Sequence, residues 1–185
     1  MTEITENRKR LPVAMERFVL HWGDLGGRWG VNRSVSQIHA LLYLSDRPLT
    51  AEEIADLVGI ARSNVSTSLK ELMAWNLIRR VPIKGDRRDH FEAETDIWEM
   101  FMRISAGRKE RELDPAIVAL RACVAEAQDD PGVHAVATAR LKAMLDFVET
   151  LDRWYAQMLT VPKQKLAALI RLGTRIVRFL PGGKS

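Results

Sequence analysis

A chain of 185 residues, 46% hydrophobic and 28% charged, can bury a core and is not a disordered tail. Its net charge of +4 and pI near 9.5 favour an anionic partner without identifying one. The single cysteine, Cys123, excludes an intrachain disulfide, and no run approaches the roughly 18 apolar residues that cross a bilayer, so a soluble cytoplasmic protein with no membrane partner is expected.

The opening MTEITENRKRL lacks the long apolar core and small-residue cleavage site of a signal peptide. Residues 1–10 are polar, with Arg8, Lys9 and Arg10 clustered. Over residues 11–22, Met15, Phe18, Val19 and Trp22 mark an amphipathic helix. Residues 23–30 (GDLGGRWG) resemble a phosphate-cradling glycine loop, but no strand precedes them. A flexible or close-packed helix junction fits better, and a helix continuing through it would set Trp22 and Trp29 on one side. Residues 36–44 form a short helix with Ile38, Leu41 and Leu42 inward, and Ser45-Asp46-Arg47-Pro48 is a turn.

The stretch 49–94 carries the densest signals. Thr50 and Glu53 form a capping box, and Leu49 and Ile54 are placed for a hydrophobic staple. Ile54, Ala55, Leu57 and Val58 give the first helix its apolar face, and Gly59 ends it. A second helix spans about 62–74, with Val65, Leu69, Leu72 and Met73 inward at 3.6-residue spacing. Its other side carries Arg62, Ser63, Asn64, Ser66, Thr67 and Lys70, short polar or basic groups suited to base edges and phosphates. Residues 77–81 and 91–93 then read as a β-hairpin whose tip holds Lys84, Arg87 and Arg88 around Gly85. A helix-turn-helix followed by a basic wing is a DNA-reading order of parts. Its helix N-terminus would also face phosphate with free N–H groups.

Beyond the wing the chain reads as all helix. Asp96 caps a segment bearing Ile97, Trp98, Phe101, Met102 and Ser105, which runs into the charged residues 108–112. Asp114-Pro115 reads as a cap with proline at the first helical position of a helix to about Gln128. On that helix Cys123 reads as a small buried apolar residue rather than a redox switch. After the turn Asp129-Asp130-Pro131-Gly132, a long helix over about 133–159 repeats Ala137, Leu141, Met144, Val148, Leu151, Tyr155 and Met158 in steps of four and three. Phe147 and Trp154 widen that stripe. This heptad pattern predicts a helix–helix seam between two subunits. Pro162 restarts a last helix, with Leu166, Leu169, Ile170, Ile176 and Val177 on one side and Lys163, Lys165, Arg171, Arg175 and Arg178 around it. A helix closing the dimer, its charges solvated, is preferred there to a membrane-surface helix.

No catalytic or cofactor chemistry is legible. His21, His39, His90 and His134 are scattered without metal-ligand spacing, and no nucleophile elbow, Walker loop or dinucleotide fingerprint stands in a matching context. No cofactor, no metal and no enzyme are expected. Trp22, Trp29, Trp98 and Phe101 lie in the helices flanking the reading head and are candidates to hold a cationic ligand by cation–π attraction, with core filling as the alternative.

The chain resembles the MarR superfamily of dimeric winged-helix regulators, and within it the GbsR-type branch. The likeness lies in W-G-x-x-x-x-R-W-G from Trp22 to Gly30, I-A-x-x-x-G-I-A-R-S-N-V-S-x-x-L-K-E-L from Ile54 to Leu72, and N-L-I-R-R-V from Asn76 to Val81. It continues in G-D-R-R-D-H-F-E-A-E from Gly85 to Glu94, followed by Asp96-Ile97-Trp98. The resemblance covers about the first 115 residues. It implies a homodimer that binds a palindromic operator in double-stranded DNA, acts as a repressor, and is released by a small-molecule effector such as a quaternary ammonium compound. One residue departs from the pattern. Ala61 stands where such proteins carry a serine that caps the recognition helix, at a cost of about 1 kcal/mol, unless Ser63 caps a helix that begins later.

The expected fold is mainly α: a winged helix-turn-helix of three helices and a small β-hairpin wing, with N- and C-terminal dimerisation helices. Residues 1–30 supply the N-terminal dimerisation helix and junction, 31–95 the DNA-binding domain, and 96–182 the C-terminal helical dimerisation region. The rival reading is a winged-helix protein-interaction module with no DNA affinity.

Overall fold

The computed structural model describes residues 10–173 and 175 of the chain. Arg8 and Lys9 of the N-terminal cluster, and Ile176, Val177 and Arg178 of the last helix, lie outside the described residues. The chain divides after Ile104 into two compact units.

In the first unit, α1 (Val13–Arg28) runs straight through the glycine run and ends at Trp29. Two of its glycines are there for close packing. A Cβ on Gly26 would stand 1.9 Å from the Ser36 side-chain oxygen, and one on Gly23 would stand 2.5 Å from Gln37. Only hydrogens at these two positions let α1 approach α2 (Arg33–Leu44) so nearly. The second helix starts earlier than residue 36 because the Asn32 side chain accepts from the Ser34 N–H at 2.8 Å.

The capping box at Thr50 and Glu53 forms as expected and starts α3 (Ala51–Val58), and Gly59 ends it in the left-handed conformation at φ +74°. Next comes α4 (Arg62–Ala74). Val65, Leu69 and Leu72 are buried on its inner side, together with Ser68. These residues join Val35, Ile38, Leu41, Ile54, Leu77 and Phe91 in one core.

The sheet has one more strand than the hairpin reading. Leu49–Thr50 (β1) pairs with His90–Ala93 (β3), which pairs in turn with Ile78–Val81 (β2), giving the order β1-β3-β2, all antiparallel. The reason is local. An N-cap residue has extended backbone, here φ −78° and ψ 160°, so Thr50 can cap α3 and lie in a strand at once. Asp96 caps α5 (Ile97–Arg108) by accepting from the Trp98 and Glu99 N–H groups at 2.9 and 3.2 Å.

In the second unit the expected break at Asp114-Pro115 is absent. A π-helical turn, Lys109–Leu113, leads into α6 (Asp114–Asp129). Proline lacks an N–H and its ring crowds the carbonyl four residues back. Widening the turn so that the Asp114 N–H reaches the Lys109 carbonyl avoids both problems without ending the helix. Asp114 does not cap; it pairs with Lys109, which also holds Asp152 at 2.8 Å. Cys123 is exposed, not buried. Helix α6 buries only Ile117 and Ala127, so position 123 has no packed interior for its thiol.

The long helix is α7 (Ala135–Thr160), started by His134, whose ring accepts from the Ala137 N–H at 3.1 Å. None of its residues is buried in the single chain. Met144, Phe147, Leu151 and Trp154 are 44–61% exposed. A short α8 (Lys163–Leu172) follows Pro162.

Candidate nucleic-acid interface

The face of α4 opposite the core is the predicted one. Arg62, Ser63, Asn64, Ser66, Thr67 and Lys70 are all exposed, because the core positions of a 3.6-residue repeat leave these outward. Thr67 donates its hydroxyl to the Ser63 carbonyl at 3.1 Å, which leaves its methyl and lone pairs outward. The helix begins at Arg62 with Ala61 at its N-cap and no side-chain cap, so Ser63 does not delay the start. Its first-turn N–H groups therefore face solvent at the positive end of the helix dipole.

The wing tip is more ordered by its own acid than the sequence suggests. Gly85 takes φ +87° and the Asp86 N–H donates to the Ile83 carbonyl at 3.1 Å, closing the turn. Asp86 then accepts from the Arg88 backbone N–H at 2.9 Å and from two guanidinium nitrogens, the shorter contact 2.5 Å. That guanidinium holds the Asp86 carboxyl well below the usual carboxylate range. Arg88 also stands 3.9 Å from Glu52, which pairs with Arg62 at 3.1 Å. Lys84 and Arg87 are exposed and form no ion pair among the described residues. The three cations grouped by sequence are thus unequal, with two projecting and one neutralised by its neighbours.

A groove of about 330 Å³ separates α4 from the sheet and brings Glu52, Ser66, Lys70, Arg80 and Arg88 together. Arg80 and the two acids that hold Arg88, Glu52 and Asp86, are not singled out by the sequence. For Asp86 the signal was present, since an Asp two residues before the bonded N–H makes an Asx turn. Arg80 leans over the Phe91 ring at 5.9 Å, and its neighbour Arg79 pairs across the strands with Glu92 at 2.6 Å. The buried His90 ties the base of the wing by donating from Nδ1 to the Arg88 carbonyl at 3.0 Å.

The four aromatic residues proposed for a cationic ligand are not brought into one cage. Trp22 stacks on Phe18 at 5.5 Å, and Trp22 and Trp29 line one apolar cavity with Trp75. Trp98 and Phe101 pair edge to face at 6.4 Å and are not among its walls. On α5 it is Met100 and Ile104 that meet the core, and the helical turn carries Trp98 and Phe101 off that side. Among the described residues no cluster of His, Cys, Asp and Glu could hold a metal ion, and no helix is long and apolar enough to cross a membrane.

Known proteins share this fold. The MarR family model matches residues 29–89. The chain is similar to the HTH-type transcriptional repressor GbsR of Bacillus subtilis, with 26% identity over 100 residues, 54% of this chain and 55% of that protein. It is also similar to the HTH-type transcriptional repressor OpcR of the same organism, with 24% identity over 78 residues, 42% of each chain. The chain spans about half the length of the curated relatives it matches. A crystal structure of a transcriptional regulator superposes with a TM-score of 0.61 at 18% identity, covering 79% of this chain and 95% of that one, a likeness of fold.

Proposed function

We propose that this chain, whose residues 29–89 match the MarR family model, is a DNA-binding transcriptional regulator acting as a homodimeric repressor. The observation that carries the reading is the exposed, uncapped start of α4 with an acid-poor polar face, flanked by the projecting Lys84 and Arg87. In this reading Ser63, Asn64, Ser66, Thr67 and Lys70 read or position bases while Arg62 and the wing hold phosphate. The exposed α7 stripe of Met144, Phe147, Leu151 and Trp154 supports pairing of two copies, since so many large apolar groups at heptad spacing favour a partner helix. Two reading heads would then meet a palindrome with half-sites about 34 Å apart, and a small ligand would loosen that grip.

Titration of a random duplex at two salt concentrations tests this, followed by selection of bound fragments from genomic DNA. Salt-sensitive binding and an enriched palindrome are expected. Binding that ignores salt, or no binding, would refute it and favour a protein-docking winged helix.

A further inference from the structure

Over its first two turns, the outer face of α4 offers a single methyl group. Ser63 and Thr67 lie one turn apart, opposite the buried Val65, Leu69 and Leu72, and so form the crest of that face. Ser66 and Lys70 lean to one side and line the groove beside the sheet, whereas Thr67 is not among that groove's walls. The Thr67 hydroxyl donates to the Ser63 carbonyl at 3.1 Å. That bond turns the oxygen back toward the preceding turn and restricts the side-chain rotamer, leaving the methyl as the group free to meet a base. The other exposed residues of these turns, Arg62, Ser63, Asn64 and Ser66, carry no methyl at all. In the major groove thymine presents a 5-methyl group, which no other base edge offers there.

We propose that Thr67 reads thymine through its methyl group, so that each operator half-site carries a thymine at the base pair Thr67 meets. The contact sets methyl against methyl and removes both from water. Cytosine at that position would lack the methyl and would bring its amino group against an apolar one. Thr67 is in this way a specificity-determining residue whose polar atom is spent inside the helix. The inference rests on the DNA-binding reading above and names the chemical group that one of its readers recognises.

The test takes the tightest-binding duplex from the genomic selection and replaces each thymine in turn by deoxyuridine, symmetrically in both half-sites. This removes a methyl and nothing else. Anisotropy titration with the full chain should find a position where affinity falls. Burying one methyl corresponds to about fourfold in affinity, and the two half-sites together to about fifteenfold. Thr67→Ser keeps the hydroxyl bond and drops the methyl, so thymine and uracil at that position should then bind within about twofold of each other. On the uracil duplex the serine variant should match the wild type, which also shows that it is folded. Thr67→Val keeps the methyl and drops the hydroxyl, and should retain most of the discrimination. Discrimination kept by the serine variant and lost by the valine variant would overturn the proposal, because the hydroxyl would then be the reader. A wild type that tolerates uracil at every position would overturn it too, while leaving the DNA-binding reading intact. Failure to bind any duplex would sink that reading and this proposal together.

Discussion

Replacing Arg87 with alanine should flatten the salt dependence of DNA binding, and replacing Arg88 should do so much less. Each phosphate neutralised adds about 0.9 to the slope of log K against log salt, so one Arg87 per head accounts for about 1.8 in a dimer. Between 50 and 200 mM salt that slope corresponds to about a tenfold difference in how far affinity falls. Arg88 differs because it is already occupied, with Asp86 at 2.5 Å and Glu52 at 3.9 Å. Phosphate must displace those acids, and the released carboxylates repel DNA. Less than half the Arg87 effect is therefore expected. Asp86→Asn keeps an oxygen that can accept from the Arg88 N–H but drops the charge, so it should steepen the slope by releasing Arg88. Fluorescence anisotropy of a labelled duplex across four salt concentrations reads all three variants. Equal flattening by the Arg87 and Arg88 variants would refute the claim that Asp86 and Glu52 neutralise the wing from within.

Ala61→Ser should stabilise the protein, because the N-cap backbone at φ −63° and ψ 143° is already extended and lacks only the side-chain acceptor. About 1 kcal/mol and a rise of about 2–4 °C in thermal midpoint are expected, and an unchanged melt would count against an unfilled cap. Stability should also fall in acid through Glu53. The Arg47 guanidinium at 2.6 Å, with further hydrogen bonds from Thr50, lowers its pKa from 4.5 to about 2. A depressed acid stabilises the fold above its unfolded pKa and loses that contribution as pH falls through the folded one. The loss therefore spans pH 4.5 to about 2, on the order of 1 kcal/mol once solvent screening of the exposed Arg47 is allowed for. Denaturant melts of Glu53→Gln should show less of this acid-dependent loss, and an identical pH profile would remove Glu53 from the account.

The features legible in the linear chain are those whose cause spans one or two helical turns. Thr50 and Glu53 are three residues apart and find each other within one turn, Gly59 meets its own backbone requirement, and the inward spacing of Val65, Leu69 and Leu72 dictates which side of α4 faces out. Tertiary structure decided whatever depended on distant partners. Leu49 pairs with Phe91, Glu52 reaches Arg62 and Arg88, and Gly26 admits Ser36. None of these meetings is encoded by spacing, because the intervening chain must fold before the groups are neighbours. For the same reason the aromatic residues looked like one cluster in composition, yet Trp98 and Phe101 do not line the cavity that Trp22 and Trp29 share, and a histidine without spacing partners, His39, is buried in the core. Periodicity tells which way a side chain points; only packing tells what it meets.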